Sequence, residues 1–323
     1  MKLLSGTTTE RAPRLGLVIL ALGTVYLVWG STYFGILIAI RTIPPMSMAA
    51  LRFTVAGGLL YAWAVRRGDR EGDRPGLAQW AAAAVVGTAL LAAGNGAVTW
   101  AEQRIPSGIA ALLIASVPLW MSILGRVLLA ERLSWLAVVG LAVGFAGLVL
   151  LVRPSGTDRL DLTATVVVLG GALAWASGSV WSRRAPLPRR PLVTTGMEML
   201  AGGAVLAVAS VVGGEPARIR FAEISVSSVL AVAYLVVFGS LVAFTAYVWL
   251  LRNVRTSVVG TYAYVNPVVA VALGAVLGGE PVTGRALLAG AVILAGVALI
   301  VTGQPGGDDH EAPRRPDARL AKR

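Results

Sequence analysis

Few side chains in this 323-residue sequence can do chemistry, and most of them lie inside apolar stretches. Arg52 and Glu198 each sit six residues into such a stretch, about 9 Å along a helix from its start. A charge at that depth costs roughly 3 kcal/mol if lipid surrounds it, so each faces protein or water. The chemistry open to them is an anion contact for Arg52 and proton coupling for Glu198. The alternative for each is a side chain that snorkels to the nearer surface. Asn95 stands between Gly94 and Gly96, with Thr99 one turn on. That pattern suits a locally loosened helix offering an amide and a hydroxyl to a solute, or close helix packing with Asn95 bonding across the bundle. Trp29 and Trp175 fall mid-stretch, Tyr33 shares a helical face with Trp29, and Tyr262 shares one with Asn266; these polar-tipped rings and the amide line a cavity or pack between helices. Pro118 and Pro267 are also central. They read equally as hinges or as packing kinks, because a proline removes one helix hydrogen bond.

The elements that position these residues follow from composition. Hydrophobic residues make up 56% of the chain and charged residues 14%, well below the usual quarter of soluble domains. A run of about 20 apolar residues crosses a hydrocarbon core of about 30 Å. Ten such runs are legible: 15–40, 46–65, 77–100, 107–129, 135–152, 163–181, 192–212, 226–251, 256–278 and 285–302. Residues 1–14 form a polar N-terminus, 153–162 a polar linker and 303–323 a Pro-rich tail expected to be disordered. The first run is too long for a signal-peptide core and is read as retained. Most Lys and Arg fall on the side that holds both termini, and this excess places the termini in the cytoplasm. The net charge of +12 is therefore a topology signal and not a nucleic-acid footprint. The chain has no cysteine, so neither a disulfide framework nor a thiolate site is available, and its one histidine is in the tail.

One stretch occurs twice. Residues 118–152 and 267–301 align without a gap. In each copy a proline is followed at the same interval by a glutamate (Pro118 to Glu131, Pro267 to Glu280), then by a helix-capping hydroxyl (Ser134, Thr283) and a second apolar run. The two glutamates read as structural groups at helix ends. Gly30-Ser31 is echoed by Gly178-Ser179, and Ala56-Gly57-Gly58 by Ala201-Gly202-Gly203. Two units of five spans (15–152 and 163–302) must lie in opposite orientations, because five is odd. Inverted repeats of this kind put a solute site near the midplane where the halves meet.

The segments WGSTYFGI (29–36), AAGNGAVTWAEQ (92–103), PSGIAALLIASVP (106–118), WASGSVWSRR (175–184) and YAYVNPVVAVALGAVLGGE (262–280) resemble the EamA family of the drug/metabolite transporter superfamily. The likeness covers about residues 15–302 and extends to its bacterial inner-membrane members. It implies an all-α integral membrane fold of ten helices, two inverted five-helix repeats around a central cavity. It also implies transport of small metabolites, often amino acids and often outward, and assigns no role to any single residue.

Taken together, the expected function is a secondary transporter working by alternating access in a bacterial inner membrane. Its partners are a small-molecule substrate, the lipid bilayer and a candidate coupling proton, with no cofactor, metal or nucleic acid, as a monomer or homodimer. A passive channel or receptor-like scaffold is the alternative. A channel would want a continuous polar file, whereas the polar positions here cluster at mid-depth. An intramembrane enzyme is disfavoured, since the spans hold no His, Cys or Asp with which to build a dyad or metal cluster. No Gly-x-x-x-x-Gly-Lys-Ser/Thr loop is present, so a gradient or a partner would supply the energy.

Overall fold

Prolines and short polar side chains set where the helices begin. Pro45 and Pro191 open α2 (Pro45–Arg66) and α7 (Pro191–Val212) at positions whose N–H has no helical partner. Ser134 accepts from the Ala137 N–H at 3.1 Å ahead of α5 (Trp135–Val152). Asp161 does the same for Ala164 at 3.0 Å ahead of α6 (Leu162–Ser182), and Ser225 for Ser228 at 3.2 Å ahead of α8 (Val226–Asn253). The remaining elements are α1 (Leu15–Ala39), α3 (Leu77–Ala101), α4 (Val117–Leu129), α9 (Thr256–Gly260), α10 (Tyr262–Gly278) and α11 (Gly284–Thr302). The computed structural model describes residues 15–68, 75–105, 110, 113–152, 161–278 and 284–303, and among these there is no strand. The terminal segments, most of the 153–162 linker, Glu280 and Thr283 lie outside the described residues.

Six of the helices (α1, α2, α3, α6, α7 and α8) are long and apolar enough to cross a membrane, and α4, α5 and α11 contain shorter apolar helices. The outer faces carry large hydrophobic side chains such as Leu20, Leu27, Val127 and Val212, exposed as lipid-facing residues are. At helix ends Arg67 stacks over Trp63 at 4.4 Å and Arg104 over Trp100 at 3.8 Å, an interfacial arrangement.

Two helices depart from regular geometry at the same place in their lengths. α3 widens to π-helix at Thr88–Asn95, and α8 does so at Leu235–Val242. The chain also breaks at Ala115-Ser116 just ahead of α4, and at Thr261 between α9 and α10. Pro118 therefore stands in the first turn of α4, where its missing N–H costs nothing, while Pro267 lies inside the continuous α10.

The bundle closes along two seams with backbone almost on backbone. In the α2–α7 seam a Cβ at Gly57 would meet the Leu200 nitrogen at 2.8 Å, and one at Gly203 the Thr54 nitrogen at 2.9 Å. In the α5–α11 seam a Cβ at Gly296 would meet the Gly144 nitrogen at 2.5 Å. Only glycine permits this approach, the small-residue packing usual in membrane helices. Each seam joins a helix of the first half of the chain to one of the second.

Candidate functional site

Trp29 is the hub of the interior. Its indole N–H donates to the Gly239 carbonyl of α8 at 3.0 Å, an oxygen within the widened π turn, where backbone bonding is looser than in α-helix. Around its ring stand Tyr247 at 4.9 Å, Tyr262 at 5.0 Å, Trp175 at 5.5 Å and Phe244 at 6.4 Å. Trp175 donates to the Tyr247 hydroxyl at 2.8 Å. Ser179 gives its proton to the Trp175 carbonyl at 2.7 Å, so the Tyr247 hydroxyl donates to Ser179 across 2.6 Å. That small ring of bonds satisfies the polar tips of Trp175, Tyr247 and Ser179 and fixes their geometry.

The cluster forms one wall of a cavity of about 70 Å³. The first half contributes Trp29, Tyr33, Arg52 and Asn95, and the second contributes Trp175, Phe244, Tyr262 and Asn266. The π turn of α3 ends at Asn95, whose carbonyl accepts from Thr99 at 2.9 Å. Asn266 is oriented, from its surroundings, with its amide nitrogen donating to the carbonyls of Tyr26 at 3.2 Å and Tyr262 at 3.0 Å. Arg52 is 3% exposed and donates through Nε to Ser240 at 2.8 Å, with its guanidinium 4.7 Å from the Phe53 ring centre.

Six of the sequence-derived aromatic and amide candidates thus meet in one cavity together with Arg52. Thr99, Glu198, Pro118 and Pro267 do not line it. Thr99 is buried and turned back on its own helix. Glu198 is 1% exposed, deep between α7 and α3, where Gly87 lets the two backbones touch. Its Oε2 has no hydrogen-bond partner; the guanidinium of Arg252 and the phenol of Tyr247 are its electrostatic neighbours. Arg252 is itself held by the Arg189 carbonyl at 2.8 Å, the Pro188 carbonyl at 3.1 Å and Thr194 at 2.9 Å. Tyr247 and Phe244 were absent from the sequence-derived set. Tyr247 is close to Trp249 near a span end, where a ring reads as interfacial, and only its contact with Trp175 reveals its place.

Two carboxylates tie the halves together at the starts of α9 and α2. Glu131, beyond the left-handed Ala130 that ends α4, accepts from Arg183 at 2.6 Å and from the Thr256 hydroxyl at 2.6 Å where α9 starts. Glu215, beyond α7, accepts from the Met46 and Ser47 N–H groups at 3.1 and 2.7 Å where α2 starts. Each carboxylate meets a helix N-terminus of the other half, where the dipole favours negative charge. Beyond the end of α3, Glu102 has no hydrogen-bond partner on either oxygen, and burial pushes its carboxyl up to about 8.

A membrane-embedded helical bundle with an aromatic, amide-bearing cavity shared by both halves is a transporter architecture. The sequence matches the EamA-like transporter family over residues 16–153 and 162–302, and the chain belongs to that family. It is 43% identical to the uncharacterized inner membrane transporter YedA of Escherichia coli (strain K12), over 88% of this chain and 90% of that one. It is 28% identical to a probable terminal-alkyne amino-acid exporter of Streptantibioticus cattleyicolor, over 89% of this chain and 94% of that one. A probable amino-acid metabolite efflux pump of Salmonella typhimurium is 24% identical, over 86% and 93% of the two chains. A solved crystal structure with 23% identity superposes at a TM-score of 0.74, covering 90% of this chain and 98% of that one, a likeness of fold.

Proposed function

We propose that this chain is a secondary transporter that moves small metabolites, amino acids and related compounds among them, outward across a bacterial cytoplasmic membrane by alternating access. The observation that carries this reading is the cavity to which both halves contribute, walled by rings and amides and lying between two widened helices. Ten spans in two inverted repeats, with both termini cytoplasmic, fit the matched π turns of α3 and α8 and the cross-half seams. The names carried by the relatives, an amino-acid exporter and an amino-acid metabolite efflux pump, support the solute class. Solute would bind among Trp29, Tyr33, Asn95, Trp175, Tyr262 and Asn266. The Glu131–Arg183–Thr256 contact would hold one end of the bundle shut. Glu198 is the proposed proton-coupling group, reached from the cavity through Tyr247. Transport accounts for the site better than catalysis, since no nucleophile stands beside a base in it.

The test is uptake into proteoliposomes of a labelled amino-acid and metabolite panel, with and without a pH gradient. Saturable, gradient-dependent uptake of one compound that falls at least about tenfold in Glu198→Gln is the expected result. Saturable uptake indifferent to gradient and variant removes the proton role but keeps the transporter. Non-saturating flux would mean a channel.

A further inference from the structure

Arg52 is a fixed cation in the cavity wall with no anion to pair with among the described residues. A guanidinium has five N–H donors in a planar fork and stays charged in proteins. Here one donor is used, the Nε–H to Ser240 at 2.8 Å. Among the described residues no carboxylate pairs with Arg52, and no other hydrogen bond to it is formed. Its remaining electrostatic neighbours are the Phe53 ring, 4.7 Å away, and the Tyr234 phenol, which is engaged with Ser31. Among the described residues no Asp or Glu lines the cavity, and Glu198 lies elsewhere, beside Arg252. A buried cation left without a counter-charge is costly, and proteins rarely keep one unless a ligand completes it.

The surroundings seat this cation in place. A Cβ at Gly239 would fall 2.8 Å from Arg52 Nη2, so the glycine lets the guanidinium lie close against the backbone of α8. The same Gly239 gives its carbonyl to Trp29. The widened turn of α8 therefore holds the charge with Ser240 and the central indole with Gly239, in adjacent residues. Beside its two amides, the rest of the wall is largely apolar and aromatic, with Ile36, Leu91, Val98 and Phe244 among its residues.

We propose that Arg52 is the anchor for a carboxylate, and that the transported solutes are small amphipathic monocarboxylates, amino acids with apolar side chains included. This deepens the transporter reading and rests on it. The unused Nη donors suit a planar carboxylate held by two parallel bonds. The apolar remainder of the solute lies against Trp29, Tyr262 and Phe244. An ammonium group, when present, is met by ring faces and amide oxygens, since the cavity offers it no carboxylate. A solute carrying two anionic groups would leave one unpaired among rings and is rejected.

The experiment measures binding separately from transport. Purified protein in detergent is titrated with leucine, 4-methylpentanoate, leucinamide and 3-methylbutylamine, and with chloride as an inorganic anion, read by calorimetry and by thermal shift. Leucine and 4-methylpentanoate are expected to bind, with leucinamide and the amine weaker by about ten- to a hundredfold, the worth of hydrogen bonds to a charged partner. Arg52→Gln is expected to erase the difference between leucine and leucinamide. Arg52→Lys, which keeps the charge without the planar fork, retains part of it. Should Arg52→Gln fail to fold, the comparison of carboxylate with amide on the unmodified protein still decides. Equal binding of leucine and leucinamide overturns the proposal. So does carboxylate binding unchanged in a folded Arg52→Gln, absence of binding by every carboxylate probe, or chloride alone shifting the protein. If carboxylates bind through Arg52 but no probe crosses a proteoliposome, the transporter reading fails and the anchor stands. If uptake proceeds equally in Arg52→Gln, the anchor fails and the transporter stands.

Discussion

Trp29 concentrates what single residues do here. It touches four rings and takes a backbone carbonyl from the opposite half, so its replacement should act at once on binding and on stability. Trp29→Ala is expected to lose solute binding and about 3–5 kcal/mol of folding stability, as large-to-small changes of a buried indole do. Trp29→Phe keeps the ring contacts and strips the donor from the Gly239 carbonyl, so binding should weaken with a smaller drop in unfolding temperature. Glu102 makes a second prediction. Its carboxyl is raised from an ordinary 4.5 to about 8 by burial, so the folded state holds a proton that the unfolded chain releases. Its contribution is complete below about 4.5 and is lost as pH rises through about 8. Thermal unfolding in detergent should show this decline, and Glu102→Gln should flatten it. At this scale the sequence was informative where depth, flanking glycines or a shared helical face single a residue out: Trp29, Tyr33, Asn95, Trp175, Tyr262 and Asn266 line one cavity. It was silent on Tyr247, Phe244 and Glu102, whose roles depend on which other helix lies opposite.

The elements show why depth is an incomplete guide. Gly94 and Gly96 around Asn95 suggested a loosened helix, and α3 is π-helical at Thr88–Asn95. Leu235–Val242 carries a single Gly239-Ser240 pair in an apolar run, and its widening becomes visible only with Trp29 and Arg52 set against it. A π turn absorbs one more residue than the α-helix it interrupts while the helix beyond stays in phase, so deleting one residue should heal it and re-aim the side chains of the turn itself. Deleting Ala92 is expected to swing Asn95 off the cavity. Deleting Val237 would misplace Gly239 and Ser240 together. Both variants should insert and purify, yet lose uptake, and circular dichroism should confirm that helix content is kept. Prolines likewise mark the region of discontinuity without fixing its residue. The chain breaks ahead of Pro118, because the first turn of a helix tolerates proline, and at Thr261, some distance before Pro267.

Across the whole molecule, cohesion comes from the two seams and from the reciprocal carboxylates Glu131 and Glu215. A side chain added to a seam has backbone to displace, so Gly57→Leu or Gly296→Leu should cost at least about 1–3 kcal/mol, the usual penalty of overpacking. Detergent-solubilised thermal unfolding would register it, with Gly58→Leu, where nothing lies within 4 Å, as the neutral control. The membrane class was readable from the low charged fraction, 14%, together with the long apolar runs. The α2–α7 and α5–α11 pairings were not readable. Glycine pairs in a sequence say that something approaches closely, but not which helix arrives.

Those seams also govern how the protein can be recombined. Gly144 has its counterpart in Gly296, and Gly57 in the stretch from Gly196 to Leu200, so each half is cast against the other as a mould against its casting. The two halves descend the chain as separate repeats, yet neither can enlarge a seam residue alone. A chimera that joins one half of this chain to the other half of a related transporter should therefore assemble according to whether the glycines at these few positions coincide, and not according to how alike the two parents are elsewhere.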